Sequence, residues 1–225
     1  MGWCDSMKVK LISYSKGVDS DDTITDLVAY CARVSNPANQ DNKETSEKLI
    51  RYLINNKHWS PLEMVHMTLE IETTRDIARQ ILRHRSFSFQ EFSQRYADPT
   101  KDLSFETREA RLQDTKNRQN SIELDLTDSE NRDLNNLWLA KQQAVIRAAK
   151  DAYTWAVTNG IAKEQARAVL PEGLTTSRLY MVGTLRSWIH YIQLRRENGT
   201  QKEHMEIAKA CARVISEVFP MSGEL

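Results

Sequence analysis

Apolar and polar positions along the chain follow two periods, and the two-residue period predicts β-strands. Residues 65–72 place an apolar side chain at every second position, as expected of a strand that buries one face. Residues 8–14 are predicted as a further strand. Residues 174–182 are rich in Thr, Leu, Tyr, Met and Val and are predicted as another. We therefore expect a small sheet.

A period of three to four residues predicts amphipathic helices along much of the remaining chain. The predicted helices cover residues 23–34, 44–56, 75–83, 127–159, 162–170, 186–196 and 200–219. Capping-box patterns at 127–130 and 200–203 mark the starts of the longest helix and of the last one. We expect the core to pack on the longest helix through one apolar stripe, made of Leu134, Trp138, Val145, Ala149, Ala152 and Ala156.

Residues 97–126 interrupt these patterns, because they are polar and lack a sustained period. They are predicted to be a mobile loop region with a short helix around 106–112. Residues 1–7 are expected to be a leader or disordered. No internal repeat divides the chain, so residues 1–225 are predicted to form a single α+β domain. Its expected architecture is a small, mostly antiparallel sheet packed against several long helices.

The composition argues against some classes of function. Lysine and arginine together number 31, as do aspartate and glutamate, and the resulting zero net charge argues against a general nucleic-acid-binding protein. Three cysteines without close pairing predict neither a disulfide framework nor a zinc site, and they fit a reducing cytoplasm. The spacing of His58, Glu63 and His66 matches no metal-ligand motif, so no metal is predicted. No apolar run is long enough to span a membrane.

The stretch from residue 75 to residue 96 gathers five arginines, one histidine and two acidic residues. Helical spacing in its first half places Arg75, Arg79 and Arg83 on one face. In its alternating second half, three side chains are expected to point to one side: Glu91, Ser93 and Arg95. Guanidinium groups bind phosphates and planar carbonyl or imide edges through a fixed fork of donors. We expect an anionic ligand here, although arginines at this spacing also occur on solvated faces.

A nucleic-acid-binding module is the alternative function for the surface formed by residues 75–95. In that interpretation Phe87, Phe89 and Phe92 stack on bases while the arginines contact phosphates. Salt-sensitive retention on single-stranded DNA would support it. The acidic residues elsewhere in the chain and the zero net charge argue against it.

An Arg-His-Arg tripeptide at 83–85 is followed after seven residues by Ser93, with Gln80, Glu91 and Arg95 around it. This arrangement resembles the signature of the flavin-dependent thymidylate synthases. Three further segments resemble the family in the same order along the chain: 58–63, 166–171 and 186–207. The resemblance therefore covers most of the chain.

The resemblance implies a fold of the thymidylate synthase-complementing type and the methylation of dUMP to dTMP. It also implies FAD as cofactor, methylenetetrahydrofolate as the carbon donor and NADPH as the reductant. In the family, a homotetramer builds active sites from more than one subunit. A cytoplasmic location is expected, in a bacterium or, for a virus-encoded enzyme, in its host cell.

Carried over by position, the resemblance implies two overlapping sets of site residues. The dUMP contacts would be Gln80, Arg83, Glu91, Phe92, Ser93, Gln94, Arg95, Arg167 and Arg195. The FAD contacts would be His58, Ser60, Arg83, His84, Arg85, Glu91, His190 and His204. Arg195 would be the catalytic residue, stabilising negative charge as the pyrimidine imide ionises. Ser93 is interpreted as a nucleotide contact and not as a nucleophile, because no adjacent histidine could activate it.

Overall fold

Strands and helices alternate along the computed structural model, which describes residues 8–18 and 21–221. The expectation for residues 1–7 lies outside the described residues. The first elements are β1 (Lys8–Tyr14), α1 (Ile24–Ala32), α2 (Ser46–Asn55), β2 (His66–Thr74), α3 (Arg75–Ile81), β3 (Ser88–Glu91) and α4 (Pro99–Asp102). They are followed by β4 (Arg111–Gln113), β5 (Ser121–Glu123), α5 (Ser129–Thr158), α6 (Lys163–Ala166), β6 (Thr176–Thr184), α7 (Leu185–Arg196) and α8 (Lys202–Ser216). Short 3-10 turns lie at Pro37–Asn39, Ser60–Glu63 and Arg167–Val169.

The main sheet has the strand order β1-β2-β6-β3, and all of its pairings are antiparallel. Its longest pairing joins β2 to β6, from His66 opposite Thr184 to Thr74 opposite Thr176. The predicted single α+β domain with a small antiparallel sheet is confirmed. Both central strands lead directly into a helix, β2 into α3 and β6 into α7, so paired strand ends fix where these two helices begin.

The main core joins the inner face of the sheet to α7, α8, α3 and the α1–α2 pair. Leu69 on β2 and Met181 on β6 are fully buried, as are Trp188 and Tyr191 on α7. The indole Nε1 of Trp188 donates to the carbonyl oxygen of Met67 at 3.1 Å, which satisfies its buried N–H. Each such large side chain stabilises the fold by roughly 1.5–3 kcal/mol. The last helices are therefore held firmly on the sheet.

Gly183 on β6 supports the chain that follows α3. A Cβ atom at this position would lie 2.4 Å from Cδ1 of Phe87, closer than any carbon contact allows. The ring of Phe87 rests on the bare backbone of Gly183 and meets Trp188 edge-on, with 4.8 Å between ring centroids. Because Phe87 comes two residues after Arg85, this packing fixes the chain close to the cationic tripeptide.

The long helix α5 differs from the prediction in which face it buries. Its N-cap is Asp128, whose side chain accepts from the backbone N–H of Asn131. Three residues of the predicted stripe are 45–48% exposed, namely Leu134, Trp138 and Val145, and Ala152 is also exposed. Only Ala149 and Ala156 are buried as predicted. The expectation that the core packs on α5 is wrong, because α5 contributes only to a second, small cluster of Tyr153, Ala156, Ala166 and Leu170.

Polar residues explain the error on α5. Gln142 is buried and binds the backbone of Arg108 twice, accepting from its N–H at 2.8 Å and donating to its carbonyl oxygen at 2.7 Å. Asn135, also buried, accepts from the backbone N–H of Ala110 at 2.8 Å. These amides replace the hydrogen bonds that an irregular segment lacks. The buried stripe of α5 is thus partly polar, which a search for apolar periodicity misses.

The segment 97–126 is more regular than predicted. Residues 106–112 are not helical; instead β4 and β5 form a hairpin in which Leu112 is paired with Ile122. The short helix lies earlier, at α4, where the side chain of Asp98 accepts from the backbone N–H of Thr100. The capping box predicted at 200–203 is also absent, since α8 begins after Gln201 without a side-chain cap. The mobility of segment 97–126 stays a prediction.

Candidate active site

The tripeptide Arg83–Arg85 lies at the surface just beyond the C-terminal end of α3. Ile77, Ala78 and Ile81 are fully buried and hold the apolar face of α3 in the core. The chain leaves the helix through a turn in which the His84 backbone N–H donates to the Ile81 carbonyl at 3.0 Å. Arg83 and Arg85 are exposed, while His84 is partly buried between them. We call these three residues the cationic loop.

Arg195, in the last turn of α7, joins the cationic loop. Its Nε donates to Nε2 of His84 at 3.0 Å, so this histidine nitrogen is an acceptor and carries no proton. Burial lowers the pKa of His84 to about 4, and the positive charges of Arg195 and Arg83 contribute. His84 is therefore neutral near neutral pH. The structure brings Arg195 to the loop although 110 positions separate it from Arg85 in the sequence.

Gln80 and His204 meet behind the cationic loop, where α3, α7 and α8 converge. His204 is fully buried; its Nδ1 lies 3.3 Å from Oε1 of Gln80 and its Nε2 lies 3.1 Å from the hydroxyl of Tyr191. Nε2 of Gln80 donates to Oε1 of Gln201 at 2.8 Å. Burial lowers the pKa of His204 to about 3, and Arg195 and His84 contribute. The structure thus brings these predicted site residues together, with His204 below the surface.

Glu91, at the end of β3, is held by cations from α3. Its carboxylate lies 3.6 Å from Nη1 of Arg75 and 3.3 Å from Nη1 of Arg79, and it accepts from the hydroxyl of Ser177 at 2.8 Å. Arg75 is buried, and its Nε also lies 3.3 Å from Glu172. The cationic face predicted on α3 is therefore partly neutralised by acidic residues of the chain itself.

The chain turns after Glu91, so Ser93 and Arg95 do not continue an extended strand. The backbone N–H groups of Tyr96 and Ala97 both donate to the carbonyl oxygen of Ser93 at 3.1 Å. The expectation that Glu91, Ser93 and Arg95 would share one side of an extended strand is wrong, because this turn ends the strand at Glu91.

Residues 92–95 are held by different parts of the chain. The backbone N–H of Phe92 donates to the carbonyl oxygen of Arg178 at 2.8 Å. Gln94 is buried, and its Nε2 has no hydrogen-bond partner among the residues that the structure describes. Nε of Arg95 lies 3.6 Å from Glu164 on α6, which is followed directly by the exposed Arg167. Arg95 and Arg167 therefore both lie close to α6.

His58, Ser60 and His190 lie where the turn before β2 meets α7. The rings of Trp59 and His190 meet edge-on with 4.5 Å between centroids, and His58 and Ser60 are exposed beside them. Burial lowers the pKa of His190, and the charge of nearby Arg186 adds to this. Arg186 in turn forms an ion pair with Glu63.

Lys57, just before His58, has a φ of +58°, the left-handed conformation that few residues other than glycine adopt. This conformation allows the His58 backbone N–H to reach the Leu53 carbonyl at 2.8 Å, which closes α2. The end of α2 therefore sets the position of His58.

Sequence reasoning missed the residues that support the predicted contacts. Helical spacing indicates Arg75 and Arg79 only as part of a cationic face, and their partner Glu91 lies too far along the chain for this spacing to indicate it. Tyr191 and Gln201 gave no local signal, because each reaches the site through a contact between elements distant in sequence. Their roles follow only from the packing of α7 and α8.

Two of the three aromatic residues assigned to base stacking in the alternative interpretation pack within the protein, and the third, Phe92, is partly exposed. Phe87 is buried against Trp188 and Tyr191, and Phe89 packs against the main core. Stacking on nucleic-acid bases needs an exposed ring face. The structure therefore does not favour a nucleic-acid-binding surface at residues 75–95.

A cavity of about 840 Å³ lies between the β4–β5 hairpin, α5 and α8. Arg111, Trp138, Gln201 and Met205 are among its lining residues. None of the site residues predicted from the sequence lines it, and Gln201 links it to the site through Gln80.

Among residues 8–18 and 21–221, no group of three or more His, Cys, Asp or Glu side chains could hold a metal ion. Over the same residues, no helix is long and apolar enough to cross a membrane.

Comparisons with known proteins agree on one family. The family described as "Thymidylate synthase complementing protein" matches residues 10–221. A "Probable flavin-dependent thymidylate synthase" of Paramecium bursaria Chlorella virus 1 is 47% identical over 215 residues, covering 95% of this chain and 96% of the relative. A "Flavin-dependent thymidylate synthase" of Synechocystis sp. is 49% identical over 219 residues, with the same coverage.

A similar fold is found in a crystal structure. The UMP/dUMP methylase PolB from Streptomyces cacaoi, bound with 5-Br UMP, aligns with a TM-score of 0.80 and 24% sequence identity. The alignment covers 97% of this chain and 92% of that protein. At this level of identity, the similarity concerns the fold.

Proposed function

The chain belongs to the thymidylate synthase complementing protein family, that of the flavin-dependent thymidylate synthases, and on this premise we propose that it methylates dUMP to dTMP. The observation that carries the proposal is the contact between Arg195 and His84, which adds a third guanidinium to those of Arg83 and Arg85. A site with this charge suits a ligand that combines phosphates with a ring imide.

The cationic loop fits the phosphate groups of FAD. Arg83 and Arg85 are exposed, and neither has an acidic partner among the described residues. We assign the flavin contacts to the loop and to the neighbouring residues predicted from the sequence, namely His58, Ser60, Arg83, His84, Arg85, Glu91 and His190. When bound, the flavin supplies the redox chemistry of the reaction. The chain's part is to bind and orient it.

Arg195 is proposed as the catalytic residue that faces the pyrimidine. A guanidinium stabilises negative charge where the ring imide of the nucleotide ionises, and it does so best when its position is fixed in advance. The bond to the neutral Nε2 of His84 fixes Arg195 without neutralising its charge. A carboxylate in place of His84 would cancel the charge that the reaction needs.

The dUMP contacts are proposed for the residues predicted from the sequence, namely Gln80, Arg83, Glu91, Phe92, Ser93, Gln94, Arg95, Arg167 and Arg195. The buried, unpartnered Nε2 of Gln94 supports this set, because such a donor costs free energy until it finds an acceptor. Glu91 is held rigidly by Arg75, Arg79 and Ser177, which suits a carboxylate that must meet a ligand at a fixed angle.

Methylenetetrahydrofolate as carbon donor, NADPH as reductant and a homotetramer with shared active sites complete the proposal. The half-exposed Leu134, Trp138 and Val145 on α5 support an assembly, because a second subunit could cover them. The free cysteines Cys31 and Cys211 fit the proposed cytoplasmic location. Size-exclusion chromatography with light scattering tests the assembly, and a monomer mass would contradict it.

The decisive experiment is an absorbance spectrum followed by an assay. We expect the purified protein to bind FAD, to oxidise NADPH faster when dUMP is present, and to form dTMP only with methylenetetrahydrofolate. Flavin binding without dTMP would indicate an inactive relative. Failure to bind FAD, with salt-sensitive retention on single-stranded DNA, would favour the nucleic-acid-binding alternative.

A further inference from the structure

A row of hydrogen bonds runs behind the cationic loop, from the core to the residue before α8. It consists of Tyr191, His204, Gln80 and Gln201, and we call it the Gln80 hydrogen-bond chain. Tyr191 and His204 are fully buried, whereas Gln80 and Gln201 are partly exposed. The Gln80 hydrogen-bond chain thus joins two buried side chains to two that are partly exposed.

The direction of these hydrogen bonds follows from the burial of Tyr191. Its hydroxyl has one hydrogen-bond partner among the described residues, Nε2 of His204. Were the hydroxyl only to accept, its O–H would stay buried without an acceptor, which is costly. Tyr191 therefore donates to Nε2, and the proton of the neutral His204 ring is on Nδ1. Nδ1 then donates to Oε1 of Gln80.

This direction fixes the carboxamide of Gln80 in one orientation. If the carboxamide turned by 180°, its NH₂ group would face the Nδ1–H of His204, and two donors would meet. In the observed orientation Oε1 accepts from His204 and Nε2 donates to Gln201. One N–H of Gln80 and one lone pair of its oxygen remain for a ligand.

We propose that Tyr191 and His204 are positioning residues that orient the Gln80 carboxamide for dUMP, and that Gln201 secures its other end. The inference rests on the proposed function, in which Gln80 contacts the nucleotide. It also changes the role that the resemblance implied for His204. Both ring nitrogens of His204 bond within the protein and none of its surface is exposed, so it acts through Gln80 and does not touch the flavin.

The test is the dissociation constant of dUMP for the FAD-loaded protein, measured by isothermal titration calorimetry. Tyr191→Phe keeps the ring in the core but removes the donor that fixes His204, and we expect dUMP to bind about tenfold more weakly. The matched control is Tyr153→Phe, which removes an equally buried hydroxyl without a hydrogen-bond partner among the described residues. FAD affinity, measured by flavin fluorescence, should be unchanged in both variants.

A double-mutant cycle separates positioning from a general structural effect. If Tyr191 acts through Gln80, Tyr191→Phe should have no further effect on dUMP binding once Gln80→Ala has removed the carboxamide. A structural role would weaken binding by the same factor in both backgrounds. Additive effects would therefore overturn the inference.

Gln201→Ala provides a second variant at a partly exposed position, where folding is not at risk. We expect dUMP to bind about threefold more weakly, with Gln193→Ala on the exposed side of α7 as the control. If Tyr191→Phe does not fold, Gln201→Ala still tests whether hydrogen bonds to the Gln80 carboxamide affect dUMP binding. Unchanged dUMP affinity in the folded variants overturns the inference alone, whereas a wild-type FAD-loaded protein that does not bind dUMP overturns the proposed function with it.

Discussion

Two pairs of arginines lie within eleven consecutive residues and differ in whether acidic side chains neutralise their charge. They are Arg75 with Arg79, and Arg83 with Arg85. The first pair begins α3 and holds Glu91 and Glu172. The second pair follows the helix, is exposed and has no acidic partner among the described residues. We call them the paired and the unpaired arginines, and Arg195, whose neighbour is the neutral His84, belongs with the unpaired group.

The difference teaches that one arginine-rich stretch serves two purposes. The paired arginines support the proposed site, because they fix the carboxylate of Glu91 where β3 ends. The unpaired arginines keep their charge available for a ligand. Substitutions in the paired group should therefore affect stability first, and those in the unpaired group should affect binding and catalysis first.

The largest effect is expected for Arg195→Ala. Removing the guanidinium should lower dTMP formation by about 10³-fold, roughly 4 kcal/mol of transition-state stabilisation, while FAD stays bound. A single-turnover assay with the FAD-loaded protein measures the rate. An active Arg195→Ala protein would show that this arginine is not catalytic.

Arg75→Met should reduce the stability of the fold, as expected if the paired arginines have a structural role. The substitution leaves the carboxylate of Glu91 with less charge compensation in a mostly buried position, and we expect a loss of about 2–3 kcal/mol in the free energy of unfolding. Urea unfolding followed by circular dichroism measures it, at a fixed protein concentration. Arg85→Met is the matched control and should change stability by less than about 0.5 kcal/mol. Equal losses in the two variants would remove the distinction between the groups.

Acid should destabilise the protein partly through His204, which lies beside the unpaired Arg195. Its pKa is about 3 in the folded protein and near 6.5 when unfolded, so the unfolded chain takes up the proton first as pH falls. This stability is fully present above pH 6.5 and is lost as pH falls towards 3, by about 2 kcal/mol between pH 7 and pH 5. Unfolding of wild-type protein and His204→Asn at both pH values measures the contribution. The same pH dependence in both would exclude His204 as its source.

Arg83→Ala should have the smallest of these effects, and it should weaken ligand binding without reducing the stability of the fold. FAD and dUMP should each bind about tenfold more weakly, because an exposed cation without an acidic partner is lost. The free energy of unfolding should change by less than about 0.5 kcal/mol. Titrations of both ligands, together with urea unfolding, check this. A stability loss as large as that of Arg75→Met would place Arg83 in the paired group.

The sheet and the helices around it could be predicted because their side chains follow simple periods. The alternation in β2 and the length of α7 needed no knowledge of distant contacts. The cationic loop and Arg195 were likewise indicated by sequence, through a family resemblance. In each case the signal lies within one segment, or within a motif of fixed spacing.

What could not be predicted depends on contacts between distant segments. Asn135 and Gln142 are buried on α5 because they bind the irregular backbone at 108–110, and no local pattern indicates such a partner. The β4–β5 hairpin was predicted as loop and helix because each strand is only three residues long. The Gln80 hydrogen-bond chain needs α3, α7 and α8 to be in place.

Gly183, the last residue but one of β6, sets how closely Phe87 and the cationic loop before it approach the sheet. The ring of Phe87 lies directly on its backbone, and a single methyl group there would collide with that ring. The collision would push outward the chain that carries Arg85, two positions before Phe87. A selection for tight nucleotide binding should therefore reject even alanine at position 183, which lies on β6 and outside the cationic loop.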